Sequence, residues 1–278
     1  MRYRGFAART ASILALVLLV VWGTARGEER GKGADNEHAA GIVASMIKAY
    51  GGTDAIRKVV SVTAKGRITD FVTGKSGEYA RYFEHPGKLR IEVMPEQKGE
   101  VRILNKGRGW QATGKGFVPV TDLELQSMLY QYSYLNLPMA LINGSYHARY
   151  GGKQLYQGKE TQLLLVEPKD APTMGVLVDA KTSLIVRIDA IFGVGMGGTG
   201  KLSTEYGDYR PVAGVQFPFR LTTSAGGLRL AGIVLDDIAI NRKIPPELFM
   251  PPAVPPSEKP GARNHPTKAN PMRKEAAM

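Results

Sequence analysis

The sequence predicts a mainly β protein with helical insertions, its strands forming one highly curved antiparallel sheet or unclosed barrel. Three observations predict this. Apolar and polar residues alternate with a period of two over most of the chain. Gly and Pro, at 33 and 17 of 278 residues, punctuate that alternation at short intervals. The aromatic residues are mainly Tyr (12) and Phe (8) rather than Trp (2), which suits pleated surfaces. A 43% apolar content supplies a sizeable core. The absence of Cys excludes disulfide frameworks, thiolate metal centres, iron–sulfur clusters and a lipidated N-terminal cysteine.

At the N-terminus Arg2, Arg4 and Arg9 precede an apolar run from Ala11 to Trp22, and Ala25-Arg26-Gly27 follows as a small-x-small cleavage site. This pattern predicts a signal peptide over residues 1–27 and an exported chain beginning near Glu28. The run is shorter than the roughly 20 residues a membrane-spanning helix requires. Residues 1–27 carry four arginines and no acid, so their removal lowers the formal charge from +12 to +8. Residues 253–278 are Pro-rich, basic and almost free of large apolar side chains. They predict a disordered tail behind a folded domain over 28–252.

Asp35 or Asn36 is read as the cap of a helix whose apolar face is Ile42, Val43, Met46, Ile47 and Tyr50, stopped by Gly51-Gly52. Thr53 to Ile56 makes a further short turn. The period then switches to two. Val60, Val62, Ala64 and Ile68 point inward, and strands follow around 78–84, 89–93, 101–104, 109–113 and 117–120, which together make a meander. From Asp122 the spacing of Leu125, Met128, Leu129, Tyr132 and Leu135 returns to three and four, and Pro138 interrupts a segment that resumes to Ile142. It reads as one apolar helix or a broken pair. Strands are then predicted over 146–150, 153–156, 161–166, 174–178, 184–192, 202–209, 215–222 and 228–240. Leu184, Val186, Ile188, Ala190 and Phe192 share one face, and a bulge is expected at Ala231-Gly232. Eleven to thirteen strands with two helical insertions are most economically arranged as one curved sheet.

The chemistry-bearing residue types form no catalytic pattern. His38, His85, His147 and His265 lie far apart and without metal-ligand spacing, and no Gly-x-Ser-x-Gly elbow occurs. Residues 193–201, Gly-Val-Gly-Met-Gly-Gly-Thr-Gly-Lys, contain G-x-G-x-x-G and, from Gly195, G-x-x-x-x-G-K. A phosphate loop needs a helix after it and a Ser or Thr after the lysine. Here a strand is predicted next and residue 202 is Leu, so the segment reads as a hairpin loop. No basic helix or nucleic-acid motif accompanies the charge. The sequence therefore predicts neither an enzyme nor a nucleic-acid binder, and neither metal nor cofactor. The Leu-, Met- and Tyr-rich helix between two sets of curved strands is left as the functional element. It is either ordinary core or the cover of an apolar cavity.

Three short motifs mark the junctions of these elements: Glu84-His85-Pro86-Gly87-Lys88-Leu89-Arg90, Asn105-Lys106-Gly107-Arg108-Gly109-Trp110 and Phe249-Met250-Pro251-Pro252. Tyr206-Gly207-Asp208-Tyr209-Arg210 with Gly214-Val215-Gln216-Phe217-Pro218 adds to them. In this order the motifs resemble the LolA/LolB-like periplasmic lipoprotein-carrier superfamily. The resemblance implies a periplasmic, unclosed antiparallel β-barrel with an α-helical lid over a hydrophobic cavity that accepts acyl chains. The ligand-facing residues would be Leu89, Ile91, Val93, Val101, Ile103 and Trp110 on the sheet, with Leu125, Met128, Leu129 and Tyr132 on the lid. His85 stands at the lid–strand junction, where the carriers place an arginine that holds the lid by hydrogen bonding. The implied function is a carrier or binding protein for lipoprotein acyl chains or another amphiphilic lipid, serving protein transport and outer membrane biogenesis. Its expected partners are that lipid and an inner- or outer-membrane protein, and the chain itself is expected to be a monomer. The alternative is an envelope sensory or interaction protein of the same fold with no transport role.

Overall fold

The computed structural model describes residues 21–95, 99–113, 116–193 and 199–252. Two helices lead, α1 (Val21–Ala49) and α2 (Thr53–Arg57). A first meander follows: β1 (Ser61–Asp70), β2 (Ser76–Glu84), β3 (Lys88–Pro95), β4 (Glu100–Asn105), β5 (Arg108–Thr113) and β6 (Gly116–Val120). Helix α3 (Asp122–Ile142) leads to the second: β7 (His147–Tyr156), β8 (Lys159–Glu167), β9 (Met174–Asp179), β10 (Ile185–Gly193), β11 (Thr199–Val212), β12 (Val215–Ala225) and β13 (Leu228–Ile240). A 3-10 turn, Pro246–Phe249, closes the described chain.

All thirteen strands form one antiparallel sheet in the order β6-β5-β4-β3-β2-β1-β13-β12-β11-β10-β9-β8-β7. The predicted open sheet with helical insertions is therefore the architecture found. Each meander pairs with itself, and the two halves join only where β13 returns beside β1. That seam is stitched locally. Asn241 takes a left-handed conformation, and its side-chain oxygen accepts from the Val60 (2.8 Å) and Ser61 (3.3 Å) amides while Nδ2 donates to the Lys58 carbonyl (2.7 Å). Gly66 lies at the bulge in the same seam. A Cβ there would stand 2.1 Å from the Val234 carbonyl oxygen, so only glycine fits.

The structure corrects several element readings. Helix α1 runs through Asp35 and Asn36, so neither residue caps its start. The segment over 122–142 is a single helix with Pro138 inside it, not a pair. The predicted strands 146–150 and 153–156 are one strand, β7, whose register slips between Tyr150 and Gly152. In β10 the register skips Val186, so Ile185 joins Ile188 and Ala190 in the core and the proposed inward row breaks. The bulge of β13 toward β12 falls at Leu230 rather than Ala231-Gly232. Val60 lies outside β1 and is exposed. Residues 1–20 and 253–278, with most of the predicted signal peptide and all of the predicted tail, lie outside the described residues.

Candidate functional site: the space under α3

Helix α3 connects the two edge strands and crosses the concave face of the sheet. Its faces do different things. Leu125, Met128, Leu129 and Tyr132 turn toward the first meander, where they pack with Leu89, Ile91, Val93, Leu104 and Phe83 in one cluster. The Phe83 and Tyr132 rings stack at 5.3 Å. Contact is close enough to constrain the sheet. A Cβ on Gly109 would meet Val120 Cγ2 at 2.6 Å, Met128 Sδ at 3.1 Å and Leu125 Cδ1 at 3.2 Å. Tyr130, Tyr134 and Leu137 turn instead toward β8–β11 and α1, in a second cluster with Met46, Leu164, Val176 and Ile188.

Between the two clusters the helix leaves a cavity of about 620 Å³. Ser127, Tyr130, Gln131 and Tyr134 form its helical wall, at the i, i+3, i+4, i+7 spacing of a single helix face. Ile68, Tyr79, Ile91, Val93, Leu202 and Ile233 form its apolar sheet wall, while Asp70, Lys75, Glu100 and Arg102 line it as polar groups. Tyr130 is fixed at the cavity edge by donating to the Ile188 carbonyl (3.0 Å) and lying 3.2 Å from Thr204 Oγ1. An adjoining space of about 500 Å³ is lined by Met128, Leu123, Glu124 and Lys201.

Further along α3, from Tyr134 to Met139, lies a narrower cavity of about 90 Å³. It is lined by five tyrosine- or arginine-bearing positions, Tyr50, Arg81, Tyr134, Tyr206 and Tyr209, amid aliphatic side chains. Tyr209 donates to the Ile185 carbonyl (2.8 Å) and Tyr50 reaches Tyr209 Oη at 2.8 Å. Burial pushes the Tyr50, Tyr130, Tyr134, Tyr206 and Tyr209 phenols above their ordinary range, so each stays protonated at neutral pH. His85 also lines this cavity, at the end of β2, and ties the sheet to α3. Its Nδ1 lies 3.1 Å from Asn136 Oδ1 and 3.3 Å from Tyr132 Oη, and the next turn adds a 2.7 Å bond from the Gly87 amide to the same phenol.

The sequence-derived site residues thus separate into three groups. Ile91 and Val93 line the large cavity and Met128 the adjoining one. Leu89, Leu125, Leu129 and Tyr132 belong to the packed cluster beside them. Val101, Ile103 and Trp110 sit on the outer face. In β4 and β5 they alternate with Arg102, Leu104 and Gly109, which face α3 and its cavities, and Ile103 is paired with both Arg90 and Trp110. Ile103 is nonetheless fully buried, because the 3-10 turn crosses there. Its carbonyls accept from Arg90 Nη1 (Leu248, 3.0 Å) and Asn105 Nδ2 (Phe249, 3.1 Å). Arg81 was not foreseen, although its alternation with Tyr79 and Phe83 marks it as an inward-facing charge.

Among the described residues no group of three or more His, Asp or Glu could hold a metal ion. Gly193 and Thr199 face each other across antiparallel β10 and β11, so a strand follows the glycine-rich segment, and Lys201 Nζ lies 3.1 Å from Asp189 Oδ2. Residues 194–198 themselves lie outside the described residues.

No family model matches the chain, and no curated protein matches it. Solved structures do. A DUF1329 family protein from Desulfovibrio piger aligns with a TM-score of 0.51 at 10% identity, over 76% of this chain and 96% of that one. A LolA superfamily protein from Nitrosomonas europaea aligns at 0.49 and 12% identity, over 76% and 96%. A putative outer membrane lipoprotein-sorting protein domain from Vibrio parahaemolyticus aligns at 0.49 and 9% identity, over 77% and 97%. The likeness to the DUF1329 family protein, at 10% identity, is one of fold alone.

Proposed function

We propose that this protein is an exported carrier or binding protein that holds the apolar chain of an amphiphile, a lipid or a lipoprotein acyl group, between α3 and the concave face of its sheet. The observation that carries this reading is the cavity of about 620 Å³ behind Ser127, Tyr130, Gln131 and Tyr134. A space of this size, within the roughly 300–1,000 Å³ typical of ligand sites, suits a guest. Its aliphatic and aromatic sheet wall offers burial and little chemical discrimination, as an alkyl chain requires. Ten methylenes would contribute about 8 kcal/mol before the costs of association. The signal sequence read at residues 1–27 supports a periplasmic site of action, and the side-chain contacts at His85 hold α3 in place as the cover.

The test is titration with a fluorescent fatty-acid probe. Wild-type protein is expected to bind one probe saturably, and Ser127→Trp, which fills the cavity from the helix side, should weaken that binding at least tenfold without lowering the melting temperature. Leu129→Asp is the contrasting control. Leu129 packs in the filled cluster, so a carboxylate there should cost several kcal/mol of stability whatever the ligand. Absence of probe binding by folded wild type, or unaltered binding by Ser127→Trp, would refute the reading.

A further inference from the structure

Arg81 lies on the concave face of β2, between Tyr79 and Phe83 on its own strand and opposite Ala64 of β1 and Ile91 of β3. It is 3% exposed, lines the narrower cavity, and its Nε and Nη1 have no hydrogen-bond partner. The residues lining that cavity include no Asp or Glu. Its remaining polar groups are mostly engaged with one another: His85 with Asn136, and Tyr50 with Tyr209. One further donor is free there, the buried Tyr206 hydroxyl. A guanidinium keeps its proton under all ordinary conditions. Burying one with no counter-charge is so costly that such groups are normally paired.

We infer that the narrower cavity is the headgroup subsite of the amphiphile, and that Arg81 receives a carboxylate there, with Tyr206 as a second donor. The inference rests on the amphiphile-binding reading and narrows it to an anionic class. The Nε–H and Nη1–H groups donate to an acceptor-only ligand oxygen, in charge-assisted hydrogen bonds that supply the missing counter-charge. About 90 Å³ is ample for a terminal carboxylate. Tyr134 lines both cavities, so a chain passing its ring leads from Arg81 along the apolar sheet wall of the larger one.

The experiment compares a long-chain fatty acid, labelled at its methyl end, with its methyl ester at neutral pH. Wild type is expected to bind the acid at least about tenfold more tightly, the effect of a charge-assisted hydrogen bond. Arg81→Met should bring the ratio to about one while leaving ester affinity in place, and Tyr206→Phe should lower it partway. With no ligand, Arg81→Met should melt no lower than wild type, since it removes an unpaired buried charge. Equal affinity of wild type for acid and ester overturns the subsite and leaves the amphiphile reading standing. Failure of wild type to bind either probe overturns both. A preference for acid that survives in Arg81→Met, or an Arg81→Met protein that melts several degrees lower or does not fold, also overturns it by showing that the guanidinium has another task. Equally Arg81-dependent binding of a lysophospholipid would overturn the carboxylate assignment.

Discussion

His85 makes the contact on which the position of α3 depends most directly. A ring nitrogen at the end of β2 reaches two side chains one helical turn apart, Tyr132 and Asn136. Asn136 is buried, so removing the imidazole leaves an amide oxygen with one partner fewer in a water-poor place. The same amide is also hydrogen-bonded to the Tyr146 phenol, and the Gly87 amide still reaches Tyr132. The loss is therefore local. His85→Ala is expected to cost about 1 kcal/mol of stability and to speed amide exchange along the second half of α3 more than in β1 or β13. Uniform acceleration through the sheet would show that the tether is part of the global fold instead.

At the scale of elements, the 3-10 turn shows why part of the site was legible in the sequence and part was not. The alternation of β3 correctly turns Leu89, Ile91 and Val93 to one face, and Leu104 and Gly109 continue that face into β4 and β5. Val101, Ile103 and Trp110 are equally apolar and alternate equally well. They occupy the other face, which the turn ending at Phe249, some 145 residues later, crosses beside Asn105, and no local pattern announces a cover so distant in sequence. One-residue bulges at Val186 and Gly151 escaped notice for a related reason: a single unpaired residue shifts the faces without altering composition. The helix wall was hidden by polarity. Ser127 and Gln131 do not stand out in an apolar search, although their spacing with Tyr130 and Tyr134 defines one face. The turn itself supplies a test. Truncation after Pro252 is expected to leave the melting temperature unchanged. Phe249→Ala, which empties a fully buried site beneath which Ile103 lies, should cost about 3–5 kcal/mol in denaturant unfolding. Equal stability of the two variants would mean that the outer face is not core.

For the whole molecule, the buried phenols set an alkaline limit. Tyr50, Tyr130, Tyr134, Tyr206 and Tyr209 all hold their protons more tightly when folded than the ordinary value of 10.0, with burial as the leading cause. Above that value the unfolded chain binds fewer protons than the folded one, so stability falls as pH rises. Their contribution is complete below pH 10 and is lost through the raised folded values, at about 1.4 kcal/mol per pH unit for each phenol. Denaturant midpoints followed from neutral to strongly alkaline solution, alongside tyrosinate absorbance, should stay level and then drop steeply together. A steep decline beginning well below pH 10 would contradict this account.

The two outermost strands, β6 and β7, are each paired on one side only, and α3 is the covalent link between them. The molecule is thus a bracelet whose clasp lies inside the band. Any outward displacement of the clasp must be taken up where it is fastened, while the β1–β13 seam, far from both edges and stitched by Asn241, stays put. If a guest enters the space under α3 as proposed, it is expected to be accommodated at the rim strands, as a change in the spacing of the two free edges.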